Sequence, residues 1–141
     1  MRLTITKFFD DLGAPLTNQQ WSWGAVREDG TVIFRVWDDE MIVEDDGREY
    51  AVLESPGHWN SRLGSIERMG QTDLVRAGAP CCLVLLKGDP DWKPPQKRKI
   101  ISFNRHELLI GGRIVKRGDL TLIEITGRTT PMAVRAQAVS H

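Results

Sequence analysis

The sequence predicts a mainly β domain with flanking helices, an α+β fold, and three observations carry that expectation. The stretch Trp21 to Trp37, WSWGAVREDGTVIFRVW, alternates apolar and polar residues on either side of Arg27-Glu28-Asp29-Gly30. That is the pattern of a β-hairpin whose Asp-Gly turn supplies positive φ. The second half holds several short apolar runs separated by glycine-containing turn signals. Only two stretches show the three- and four-residue spacing of a helix. One short helix, about three strands, a longer helix and about four more strands suggest a closed or half-closed barrel flanked by the helices.

In chain order, Ile5, Phe8, Phe9 and Leu12 fall on one face of a short amphipathic helix that Gly13 ends. Ala14 to Gln20 connects it to the hairpin, whose strands span about Ser22 to Arg27 and Thr31 to Trp37. In the second strand Val32, Phe34 and Val36 face one way and Ile33, Arg35 and Trp37 the other, so both faces of the sheet are expected to be covered. Met41-Ile42-Val43 lies between two acidic clusters, and Asp46-Gly47 is a second turn ahead of a strand at Tyr50 to Leu53. Ser55-Pro56-Gly57 breaks the chain before a helix over about Trp59 to Arg76. There Trp59, Leu63, Ile66 and Met69 form one stripe, leaving Arg62, Glu67 and Arg68 to solvent, with a break near Gly70 as an alternative to one continuous helix. Cys81 to Leu86 reads as a central strand, Asp91 to Arg98 as a basic, proline-containing loop. Lys99 to Asn104, Leu108 to Val115 and Leu120 to Thr126 are further strands. The periodicity ends there, giving a single domain over residues 1–126 and a loosely attached tail over 127–141.

The 141 residues suit one domain able to bury a core without staples. Cys81 and Cys82 are sequence neighbours in an apolar run, a poor geometry for a disulfide, and read as small buried residues of a reducing compartment. No apolar run approaches the roughly 20 residues that cross a bilayer, and residues 1–13 lack a signal-length apolar core. The expectation is a soluble cytoplasmic protein without a membrane partner. The net charge is zero, yet Met1 to Gly57 holds five basic against twelve acidic residues and His58 to His141 fourteen against seven. Such a split hints at an anionic partner, unless the two halves interleave their charges on folding.

Trp21 and Trp23, two apart on a strand, point to one side and can form an aromatic platform for a planar ligand; burial in the core is the competing reading. The same choice faces Trp37 and Trp59. Lys97, Arg98 and Lys99, with Trp92 nearby, pair basic groups with a stacking ring, as unstacked nucleotides require, and a merely solvated loop is the competing reading. The carboxylates of Asp38 to Asp46 suit a hard divalent cation, but their spacing matches no calcium loop, and a solvated acidic edge is the better account of them. His58, His106 and His141 have no zinc-type neighbours, and Ser55 lies outside any nucleophile elbow. No cofactor motif and no metal motif is present.

The paired phenylalanines of the first helix, WSWGAVREDGTVIFRVWDDE, HWNSRLGSIERM, the hydrophobic strand, RKI and GGRIVKRGDLTLIEI occur in an order that resembles the amino-terminal domains preceding HNH nuclease domains in bacterial restriction-type endonucleases. The resemblance covers about Leu3 to Thr126 and rests on motif order. It implies a PUA-like pseudobarrel, similar to SRA and EVE modules, that accepts a modified or flipped base. No histidine-rich nuclease motif follows within this sequence, so the implied role is a reader of nucleic acid, DNA rather than RNA, without catalysis. The pocket implied by the resemblance draws on Trp21, Ser22, Trp23, Trp37, Asp38, Trp59, Asn60 and Arg62, with Lys97, Arg98 and Lys99 on a phosphate-facing rim. Two alternatives stand beside it: a structural or protein-interaction domain forming a homodimer, and a metal-dependent enzyme using the acidic cluster.

Overall fold

The first helix, α1 (Ile5–Asp11), starts where the Thr4 side chain accepts a hydrogen bond from the Lys7 amide at 3.1 Å. The computed structural model describes residues 4–18, 22–55, 62–93 and 98–137. As the spacing predicts, Phe8, Phe9 and Leu12 are buried. The Arg27 guanidinium donates to the Leu12 carbonyl at 2.5 Å and so fastens the end of the helix to the hairpin.

The hairpin pairs β1 (Gly24–Val26) with β2 (Val32–Trp37) in antiparallel register, Gly24 opposite Phe34 and Val26 opposite Val32. Its turn closes through the Gly30 amide on the Arg27 carbonyl at 2.9 Å, with Gly30 at φ 90°. Every residue of β2 is buried. Ile33 and Trp37 join a core with Phe8, Phe9 and Leu12. Val32, Phe34 and Val36 face a second core.

A single 3₁₀ turn over Asp38–Glu40 leads to β3 (Ile42–Val43) and β4 (Glu49–Glu54). After α2 (Arg62–Arg76) come β5 (Cys81–Gly88), β6 (Ile100–Phe103), β7 (Leu108–Arg117), β8 (Leu120–Thr129) and α3 (Pro131–Gln137). The strands form one mixed sheet in the order β1-β2-β5-β7-β8-β4-β3, with β6 on β5. Among the described residues only β2 and β5 pair in parallel, Val32 to Trp37 lying against Cys81 to Leu86. The sheet curls until Val32, Phe34 and Val36 of β2 share a core with Ala51 and Leu53 of β4. Its end strands β1 and β3 do not pair, so among the described residues the sheet is curled and not closed by hydrogen bonds.

Two expectations are overturned. Helix α2 is continuous through Gly70, but its faces are reversed. Leu63, Ile66 and Met69 are each more than half exposed, whereas Arg68, Gln71, Thr72 and Val75 are buried. The cause is polar: Arg68 Nη2 donates to the carbonyls of Trp23 at 3.0 Å and Arg35 at 2.9 Å, and its guanidinium lies 4.7 Å above the Phe34 ring. Gly24 allows this approach, since a Cβ there would stand 2.5 Å from Gln71 Oε1 and 2.8 Å from the Ile33 carbonyl. The expected loose tail is likewise corrected for residues 127–137. Strand β8 runs to Thr129, Thr130 Oγ1 accepts from the Ala133 amide at 3.1 Å to start α3, and Val134 is fully buried with Phe8 and Phe9.

Candidate functional site

At the edge formed by the end of β2, five side chains stack in series. Arg35 lies 4.5 Å above the Trp23 ring, directly across the hairpin, where the Arg35 amide donates to the Trp23 carbonyl. Trp23 meets Trp37 at 5.6 Å between centroids, tilted by 55°. On the far side, Arg98 stacks on Trp37 at 4.1 Å and stands 5.5 Å from Trp92. Such cation–aromatic contacts strengthen when desolvated. The Arg98 side chain is only 13% exposed, and it makes ion pairs with Asp39 and, at 3.7 Å, Glu40.

Chain geometry explains the convergence. Trp37 pairs with Leu86 in the parallel register, which sets the 3₁₀ turn bearing Asp39 and Glu40 beside the end of β5. Gly88 closes β5, and a Cβ there would stand 2.5 Å from Arg98 Nε and 3.0 Å from the Trp37 ring. A side chain at 88 would fill the space that Arg98 occupies. Trp92 is brought back by a turn in which its amide donates to the Asp89 carbonyl at 3.2 Å. Lys87, Lys93 and Lys99, the sequence neighbours of Gly88, Trp92 and Arg98, are exposed.

At the other end of the stack, Ser22 is buried and its hydroxyl donates to Glu67 Oε2 at 3.1 Å, tying the approach to β1 to helix α2. Arg35 Nη1 donates to the Ser22 carbonyl at 3.0 Å. Burial lowers the Arg35 guanidinium to about 10, and burial together with the charge of Arg35 lowers Arg68 to about 9. Both arginines act here as donors that fix backbone, Arg35 to one carbonyl and Arg68 to two.

Of the residues expected in the pocket, Ser22, Trp23, Trp37 and Asp38 fall along this stack, with Asp38 exposed at the start of the 3₁₀ turn. Trp37 is buried at 3% exposure, so it is a core residue, with Arg98 over its ring and Trp23 in tilted contact with it. Arg98, expected on an open phosphate-facing rim, is instead neutralised by carboxylates; Lys99 is exposed beside it. Trp21, Trp59, Asn60 and Lys97 lie outside the described residues, as does the side chain of Arg62, the first residue of α2. Sequence reading missed Asp39, Glu40 and Gly88 as parts of one site with Trp92 and Arg98. The available signal was the opposition of an acidic stretch after β2 and a basic one after β5, which a parallel pairing brings together. Among the described residues no group of three or more His, Cys, Asp or Glu side chains is arranged to hold a metal ion.

Comparison with models of known protein families, with curated proteins and with solved structures finds no match to this chain. The site is therefore interpreted from its own chemistry.

Proposed function

We propose that the protein is a noncatalytic nucleic-acid-binding module, a PUA-like pseudobarrel that accepts an unstacked or modified base at the Trp37 end of β2. The observation that carries this reading is the run of contacts through Trp23, Trp37, Arg98 and Trp92, with exposed Lys87, Lys93 and Lys99 next in sequence to Gly88, Trp92 and Arg98. A base taken out of its helix needs aromatic faces and hydrogen-bond partners for its edge, and the flanking nucleotides need cations for their phosphates. Trp23 and Trp92 are half-buried, so each retains accessible ring surface. The zero net charge fits a reader that makes few phosphate contacts rather than a protein coating the backbone.

The test is fluorescence anisotropy with labelled single-stranded and duplex DNA and RNA, plain and base-modified, at two salt concentrations. Binding that weakens modestly with salt is expected, and replacing Lys87, Lys93 and Lys99 together by alanine should weaken it about equally for all sequences. No binding at low salt sinks the proposal.

A second reading, a protein-interaction domain that includes a homodimer, is favoured by the apolar face of α2. Leu63, Ile66, Met69 and Leu74 expose between 46% and 57% of their surface there. Light scattering decides it: a concentration-dependent dimer abolished by Ile66→Asp supports the reading, and a monomer at high concentration counts against it.

A further inference from the structure

We infer that the slot between Trp37 and Trp92 is built for guanine and that Arg98 fills it as an internal stand-in; this rests on the nucleic-acid reading and names its base. The Arg98 guanidinium that occupies the slot lies over the Trp37 ring at 4.1 Å and over the Trp92 ring at 5.5 Å, with Gly88 against its Nε and Asp39 and Glu40 on its terminal nitrogens. Its present occupant defines what fits: a flat, delocalised group that stacks on indole and offers adjacent N–H donors to carboxylates. Guanine is the nucleobase that matches, because its Watson–Crick edge carries two neighbouring donors, N1–H and the N2 amino group. Adenine and cytosine put an acceptor next to their single amino donor, and thymine and uracil flank one N–H with two carbonyls. A carboxylate accepts only, so it would face a lone pair in each of these competitors.

Arg98 fits the slot incompletely. Its Nε is buried against Gly88 without a hydrogen-bond partner, although its two terminal nitrogens face Asp39 and Glu40. A buried donor left unmade is costly, and that cost offsets part of what the ion pairs and ring contacts contribute to holding Arg98 in place. When guanine enters, its donors replace the guanidinium at the carboxylates, and Arg98 turns out to the nucleotide's phosphate. Charge is conserved in the exchange: the carboxylates keep donors and the freed cation gains an anion. N7-methylated guanine, a cation, binds more tightly still, since the ring faces and the acidic rim both favour positive charge.

Calorimetric titration of the full chain and of Arg98→Ala with GMP, 7-methyl-GMP and AMP tests the inference. Arg98→Ala, whose slot is empty, should bind 7-methyl-GMP and GMP at least about tenfold more tightly than AMP. Adding Asp39→Asn and Glu40→Gln should erase that preference. Equal affinity for GMP and AMP in Arg98→Ala, or no binding of either, overturns it. If circular dichroism finds Arg98→Ala unfolded, the wild-type chain decides, through anisotropy with thymine oligonucleotides carrying one central guanine or one central adenine. A guanine preference of about tenfold supports the slot, and equal affinities reject it. Binding of both oligonucleotides without preference removes the guanine assignment and leaves the module reading standing; binding of neither at low salt removes both.

Discussion

At the scale of single residues, two ionisable environments give measurable consequences. Burial pushes the Asp29 carboxyl up, but hydrogen bonds from Thr31 and the nearby Arg27 guanidinium outweigh it and hold the group below its ordinary value of 3.8. Asp29 Oδ1 accepts from the Thr31 amide at 3.0 Å and from Arg27 Nε at 3.3 Å, so this carboxylate braces the hairpin turn. A carboxyl held low in the folded chain adds stability that is present above the unfolded value and is lost as pH falls through the folded one. Urea denaturation of wild type and Asp29→Asn should therefore show a gap at about pH 6 that closes towards about pH 2. The thiols of Cys81 and Cys82 are both free and buried, and burial raises both above their ordinary value. Neither is a thiolate at neutral pH, so both should resist a thiol reagent in the native protein at about pH 8 and react fully in denaturant.

At the scale of elements, α2 is the informative case. Its spacing defines two faces, but hydrophobicity alone points the wrong one inward, because Arg68 reaches the carbonyls of Trp23 and Arg35 and lies over Phe34. Replacing Arg68 with alanine should cost about 2–4 kcal/mol in chemical denaturation, through lost hydrogen bonds and a cavity under the helix. Ile66→Ser on the opposite, apolar face should change stability by no more than about 0.5 kcal/mol. If the apolar stripe faced the core, the two results would be exchanged. The α1 helix and the hairpin follow their patterns, since there the apolar face and the local turn chemistry agree: Phe8, Phe9 and Leu12 are buried, and Gly30 takes the positive φ of the turn.

At the scale of the whole molecule, the acidic first half and basic second half interleave. Asp39 and Glu40 pair with Arg98, and Glu44 pairs with Arg117 at 3.2 Å. Part of the charge split therefore works as internal pairing between the turns after β2 and β3 and the later segments, while Lys87, Lys93 and Lys99 are among the exposed cations of the second half. Helix α3 joins the same body, with Val134 in the core that also holds Phe8 and Phe9 of the first helix. Val134→Asp should lower stability by about 3 kcal/mol or more in thermal or urea unfolding, since it buries an unpaired charge; a loose tail would tolerate it.

The sequence by itself determined the α+β class, the hairpin with its Asp-Gly turn, the first helix, the central strand and the small buried cysteines. These rest on periodicities and turn residues that act within a few positions. It also marked Ser22, Trp23, Trp37, Arg98 and Trp92 as residues of interest. Tertiary structure alone decided how they meet: the parallel pairing of β2 with β5 brings Asp39 and Glu40 to Arg98, and Gly88 leaves the space in which Arg98 lies on Trp37. It also decided the direction of α2 and the attachment of Val134. Those outcomes depend on contacts between residues far apart in the chain, where one buried arginine or one missing Cβ outweighs the local pattern.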